Sequence, residues 1–253
     1  IRPRCRSARP RPRGFTTRGF PLALRFWQSP GYDAGTAGFF AVGSLLFMLG
    51  AALSLVTNPL TGTQIAIVFF LGSIPFTIGG FLQNFQAANA TDPSPASEHR
   101  PARRVRLVGW RPRSLTWLSS VTQFAGTVAF NVNTFDAIYP GIGWYDLDVT
   151  IWVPGMIGSV LFLVSGYIAF VATSHGAWSW RPASRDWWSV AVNLLGCIFF
   201  MTAAVTAFVP PERAPAWIAA VANIHLWLGG ACFLIAALLT IVGRLSDRRG
   251  GAG

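Results

Sequence analysis

The chain has 253 residues, 52% hydrophobic, 14% aromatic and 11% charged, with a mean hydropathy of +0.46. Soluble domains carry about 25% charged residues, so the composition excludes a disordered chain, argues against a soluble globular enzyme and describes an integral membrane protein. The net charge of +11 comes from arginine alone, without a single lysine. The arginines sit in termini and loops between apolar runs, which reads as topology rather than nucleic-acid binding. The lack of lysine also fits a GC-rich coding sequence and a bacterial source.

Residues 1–35 form an arginine-rich arm with eight arginines before the first apolar run. No apolar stretch follows the charges as in a signal peptide. The arm reads as a disordered cytoplasmic segment able to meet anionic lipid, or, since the chain opens with Ile1, as sequence upstream of the true start. Six apolar segments then follow, each near the roughly 20 residues that cross a bilayer: about 36–56, 64–83, 116–137, 152–173, 187–209 and 217–243. The third is the most polar. Pro75 predicts a kink in the second. Residues 36–90 make a first hairpin, 91–109 a cytoplasmic Pro/Ser/Arg linker, 110–175 a second hairpin, 176–245 a third, and 246–253 a cytoplasmic tail. Nineteen of the twenty arginines lie on one side of this arrangement. Both termini are therefore expected in the cytoplasm, at the inner membrane. Tryptophans at the predicted span ends, Trp110, Trp117, Trp187 and Trp188 among them, fit interfacial anchoring.

Each segment carries glycine with phenylalanine four residues on: Gly43/Phe47, Gly72/Phe76, Gly126/Phe130, Gly158/Phe162, Gly196/Phe200 and Gly229/Phe233. Such pairs share one helix face. Glycine there lets a neighbouring backbone approach closely, so the six glycines are the expected packing positions. Trp110-Arg-Pro-Arg-Ser114 precedes the third segment and Trp180-Arg-Pro-Ala-Ser184 the fifth. These elements read as helix entries with serine caps. The matches predict parallel helical-hairpin repeats related by an axis along the membrane normal. The expected fold is an all-α membrane protein, a six-helix transmembrane bundle of such repeats.

The Gly-Ser-x-x-Phe helices, the Gln123-Phe-Ala-Gly-Thr127 and Phe130-Asn-Val-Asn-Thr-Phe135 runs and the Asn193-Leu-Leu-Gly196 segment resemble the YrhK-like family of bacterial membrane proteins. The resemblance covers most of 36–243. It implies a small multi-pass membrane protein and offers no catalytic residues to transfer.

No predicted span interior contains Asp, Glu, Lys or Arg, which counts against proton-coupled pumping. The intramembrane polar groups are Gln123 and Asn193, with Gln83 and Asn84, towards the cytoplasmic ends, and Asn131, Asn133, Asn223 and His225 towards the outer side, with Asp136 at the boundary. They either hydrogen-bond the bundle together or line a polar cavity. No catalytic residue is assigned. His99, His175 and His225 are too scattered for a haem pair, and Cys5, Cys197 and Cys232 offer no metal spacing, so no cofactor or metal is expected. The leading reading is a non-enzymatic structural or interaction component, in contact with lipid and with further copies or another membrane protein, and without nucleic acid. The second is a transporter or channel for a small uncharged solute or lipid headgroup, lined by Gln123, Asn131, Asn193 and Asn223. An enzyme, with His225 as its candidate base, comes third.

Overall fold

A computed structural model describes residues 25–90, 105–140, 143–208 and 215–250. Among the described residues seven α-helices run in chain order: α1 Pro30–Leu55, α2 Gly62–Ala88, α3 Leu115–Asp136, α4 Trp144–Leu147, α5 Val153–Ser174, α6 Arg185–Thr206 and α7 Ala216–Gly250. The described residues contain no strand. The short α4 passes through a π-helical turn, Asp148–Trp152, into α5, so these elements form one continuous helical run. α1, α2, Trp144–Ser174, α6 and Trp217–Ser246 are each long and apolar enough to cross a membrane. α3 falls short of that apolarity because serine, threonine, Gln123, Asn131 and Asn133 interrupt it.

Local sequence sets the helix starts. Ser29, Ser114 and Ser184 each accept a hydrogen bond from the backbone N–H three residues on, at 3.2, 3.3 and 3.3 Å. Thr61 and Gln64 form a reciprocal capping box at α2. The two Trp-Arg-Pro-x-Ser elements adopt one geometry. Trp110 packs edge-on to Trp117 and Trp180 to Trp187. The indole N–H of Trp117 donates to Val108 O, and that of Trp187 to Ser179 O.

Several expected boundaries move. Helical structure begins before 36: Phe26–Gln28 forms a 3-10 turn, Trp27 is buried against Phe85, and Pro30 occupies the first turn of α1. The remainder of the expected arm, 1–24, lies outside the described residues, as does 91–104 of the linker. Residues 105–109 are tied to α2 instead of hanging free, because Asn89 exchanges two hydrogen bonds with the Arg106 backbone. The fourth apolar helix starts at Trp144 rather than 152, and α7 runs on through Gly250, past the expected start of the tail. α2 continues unbroken through Pro75.

The six long helices close a ring in the order α1–α2–α3–α5–α6–α7, with α7 returning to α1. Arg244 near the end of α7 meets Asp33 at the start of α1. Sorting of side chains is the reverse of a water-soluble bundle. Leu45, Leu71, Ile157, Leu195 and Leu238 point outward, while glycine, alanine, serine, threonine and phenylalanine fill the inside. Lipid tails are as apolar as leucine, so aliphatic surface gains nothing by burial, and close backbone packing decides what goes in.

The centre is two tiers of phenylalanine. Phe76, Phe162 and Phe233, from α2, α5 and α7, form a triangle with ring centroids 5.9–6.4 Å apart. Phe47, Phe130 and Phe200, from α1, α3 and α6, form the second tier, with Phe200 5.7 Å from each of the others. Within α1/α2, α3/α5 and α6/α7, each helix's phenylalanine covers the other's glycine. A Cβ on Gly196 would lie 2.7 Å from the Phe233 ring, and one on Gly126 would lie 2.6 Å from Phe162. Gly43, Gly72, Gly158 and Gly229 are equally filled, by Phe76, Phe47, Phe130 and Phe200.

Candidate functional site

A cavity of about 440 Å³ opens at the end of the ring that holds the starts of α1, α3 and α6. Phe76, Phe162 and Phe233 form its floor. Eleven residues separate Phe233 from Arg244 at the mouth, about 16 Å of helix. Below the floor, the space bounded by Phe47, Phe130, Phe200, Ser73 and Thr127 has no room for a water molecule. The cavity ends at the phenylalanine floor.

Its lining follows the register of the three glycines. Asp33, Thr116 and Asp186 stand ten residues before Gly43, Gly126 and Gly196 and line the mouth. Thr36, Ser119 and Ser189 stand seven before, and Phe40, Gln123 and Asn193 three before, just above the floor. From the returning helices come Gln83, Ala169 and Thr240, each seven residues after its floor phenylalanine. The charged lining residues are Asp33, Asp186 and Arg244, all near the mouth. Between them and the floor the walls are neutral.

Some of these groups are committed. Asp33 bonds Arg244 at 2.9 Å and accepts a hydrogen bond from Gln86 Nε2. The hydroxyl of Ser119 donates to Ser165 O, and that of Ser189 to Ala236 O. Others are not. Thr36 Oγ1 and Gln83 Oε1 are fully buried and have no hydrogen-bond partner among the described residues. Asn193 has only a 3.9 Å approach to Cys197 Sγ, and Gln123 makes no hydrogen bond to the described residues. A buried polar atom without a partner costs roughly 1–3 kcal/mol.

The polar residues singled out in the sequence therefore separate into three places. Gln123 and Asn193 line the chamber. Asn131 and Asn133 hold helices together: Asn131 accepts from Ser73 and donates to Thr77 at 2.6 Å, and Asn133 donates to Ile151 O at 2.6 Å. Asn223 and His225 bond their own helix, at Ala219 O and Val221 O, and His225 packs near Phe199. Asp136 ends α3, its carbonyl accepting from Tyr139 N. Asn131 and Asn223, expected beside Gln123 and Asn193, are not among the chamber's lining residues. Among the described residues no three His, Cys, Asp or Glu side chains gather as a metal site. Thr36, Asp33, Asp186 and Arg244 were not read as site residues from the sequence. For the first and third, the fixed spacing before Gly43 and Gly196 was the available signal; Asp33 shares it, and Arg244 had none.

Long apolar helices with aliphatic outer faces around a polar chamber define an integral membrane protein of the helical-bundle class. Comparison with family models, with curated proteins and with solved structures finds no match to this chain.

Proposed function

We propose that the protein is a non-enzymatic membrane transporter or channel for a small uncharged solute, which it binds in the chamber. The observation that carries this reading is the group of uncommitted neutral polar side chains, Thr36, Gln83, Gln123 and Asn193, gathered above the phenylalanine floor. A bundle needing these groups only for packing would pair them, as it does Asn131 and Asn133. The phenylalanine tiers are the barrier a crossing solute must displace.

The remaining parts of the proposal concern setting. The matching glycine–phenylalanine pairs and tryptophan entries support three parallel hairpin repeats, with α3 as a sixth span. The arginines of 105–113, 181–185 and 244–249 lie at the chamber's mouth end, which supports a cytoplasmic mouth and cytoplasmic termini in a bacterial inner membrane. Membership of the YrhK-like family remains part of the same proposal, resting on the runs around Gln123, Asn131 and Asn193. The runner-up is a structural or interaction role with further copies or another membrane protein, favoured by the interhelical bonds of Asn131 and Asn133.

Liposome swelling tests the two against each other. Proteoliposomes should take up urea and acetamide faster than empty vesicles, and Gln123→Leu/Asn193→Leu should abolish the difference while leaving the protein folded. Equal swelling with and without the protein leaves the structural role standing and removes transport.

A further inference from the structure

Four carboxamides line the chamber; Gln86 is bonded to Trp27 O and Asp33, which leaves Gln83, Gln123 and Asn193, one from each of the helix pairs α1/α2, α3/α5 and α6/α7. The floor beneath them is likewise one phenylalanine from each pair. The site thus has an apolar aromatic end and a collar of primary amides. We propose that it binds uncharged carboxamides or lactams whose apolar body rests on the floor and whose N–H and C=O meet the collar. This inference rests on the reading of the chamber as a solute site and names the solute's class.

The argument is one of complementarity. A primary amide presents a donor and an acceptor side by side in one plane. Its best partner is a second coplanar N–H/C=O pair, which exchanges two hydrogen bonds with it. Gln123 has no hydrogen-bond partner among the described residues and Asn193 only a 3.9 Å approach to Cys197 Sγ, so a ligand can offer each amide both a donor and an acceptor. A carboxylate ligand has no donor to offer. A cationic ligand would leave its charge among neutral groups, since the lining carboxylates belong to the mouth and Asp33 is already paired. A polyol supplies donors, but its hydroxyls are not coplanar and it has no apolar body for Phe40, Phe76, Phe162 and Phe233.

The test is equilibrium dialysis of the full chain in detergent with radiolabelled benzamide, benzoate, benzamidine and glucose. Benzamide should be retained at one site per chain, with benzoate, benzamidine and glucose at least tenfold weaker. Gln123→Leu and Asn193→Leu should each weaken benzamide about tenfold, while Asn131→Leu, outside the chamber, should not. Gln123→Glu provides a check that keeps the fold: it should reverse the preference towards benzamidine. Retention of glucose, benzoate or benzamidine as tight as benzamide, lost in the Leu variants, overturns the ligand class and leaves the chamber as a solute site. No retention of any probe by folded protein overturns the ligand class, and together with no urea or acetamide uptake it overturns the solute site as well.

Discussion

Arg244 Nε lies 2.9 Å from Asp33 Oδ2, joining the end of the last helix to the beginning of the first. The pair closes the ring at the rim of the chamber, and the same carboxylate accepts from Gln86, so three helices meet at Asp33. Arg244 is 41% exposed, so solvent screens the pair. Exposed pairs are worth about 0–1 kcal/mol. Arg244→Ala is expected to lower thermal stability slightly, and the exchange Asp33→Arg/Arg244→Asp to recover part of it, as read by a thermal-shift assay in detergent.

The glycine–phenylalanine contacts give a larger and position-specific effect. An added methyl on Gly196 meets the Phe233 ring and the Cys232 side chain, whereas one on Gly243 meets nothing within 4 Å. Gly196→Ala should destabilise by about 1–3 kcal/mol through overpacking. Gly243→Ala, in the open face of α7, should be neutral or stabilising by up to about 1 kcal/mol. Equal midpoints for the two variants in an SDS-titration unfolding curve would refute the reciprocal packing.

Asn131 spends both ends of its amide on Ser73 and Thr77 across the α2–α3 seam. Interhelical hydrogen bonds in membranes average about 0.6 kcal/mol. Asn131→Leu should therefore cost about 1–2 kcal/mol in stability and leave solute uptake per folded molecule unchanged. Gln123→Leu, eight residues earlier on the same helix, should show the opposite pattern.

Truncation at the floor should open the barrier. Phe162 packs against Phe76, Phe130, Phe200 and Phe233, linking the two tiers. Phe162→Ala should lose about 3–5 kcal/mol of stability and make proteoliposomes leak urea faster than the unmodified protein. A folded Phe162→Ala protein with unchanged permeability would show that the tiers are not the barrier.

His225 bonds its own helix and packs near Phe199, away from the chamber. His225→Ala is expected to leave solute binding and uptake within a factor of about two. A larger loss in a dialysis or swelling measurement would return His225 to the site.

Composition, hydropathy and the arginine distribution determine that the chain is a helical membrane protein, because a span must be apolar over about 20 residues wherever it sits in the fold. The packing glycines were equally legible. Gly43 through Gly229 each keep phenylalanine four residues on, and that local spacing places both on one helix face before any partner is known. The caps at Ser114 and Ser184 were readable for the same reason. The segment before α1 was less so: its 3-10 turn is held by Trp27 on Phe85, a contact between residues far apart in the chain. Only the tertiary structure decided what each polar residue does. Gln123 and Asn131 are both amides on α3, two turns apart, and nothing local distinguishes them. One faces a gap at the centre of the ring and the other faces Ser73 and Thr77, because a polar group's role depends on whether a neighbouring helix brings it a partner.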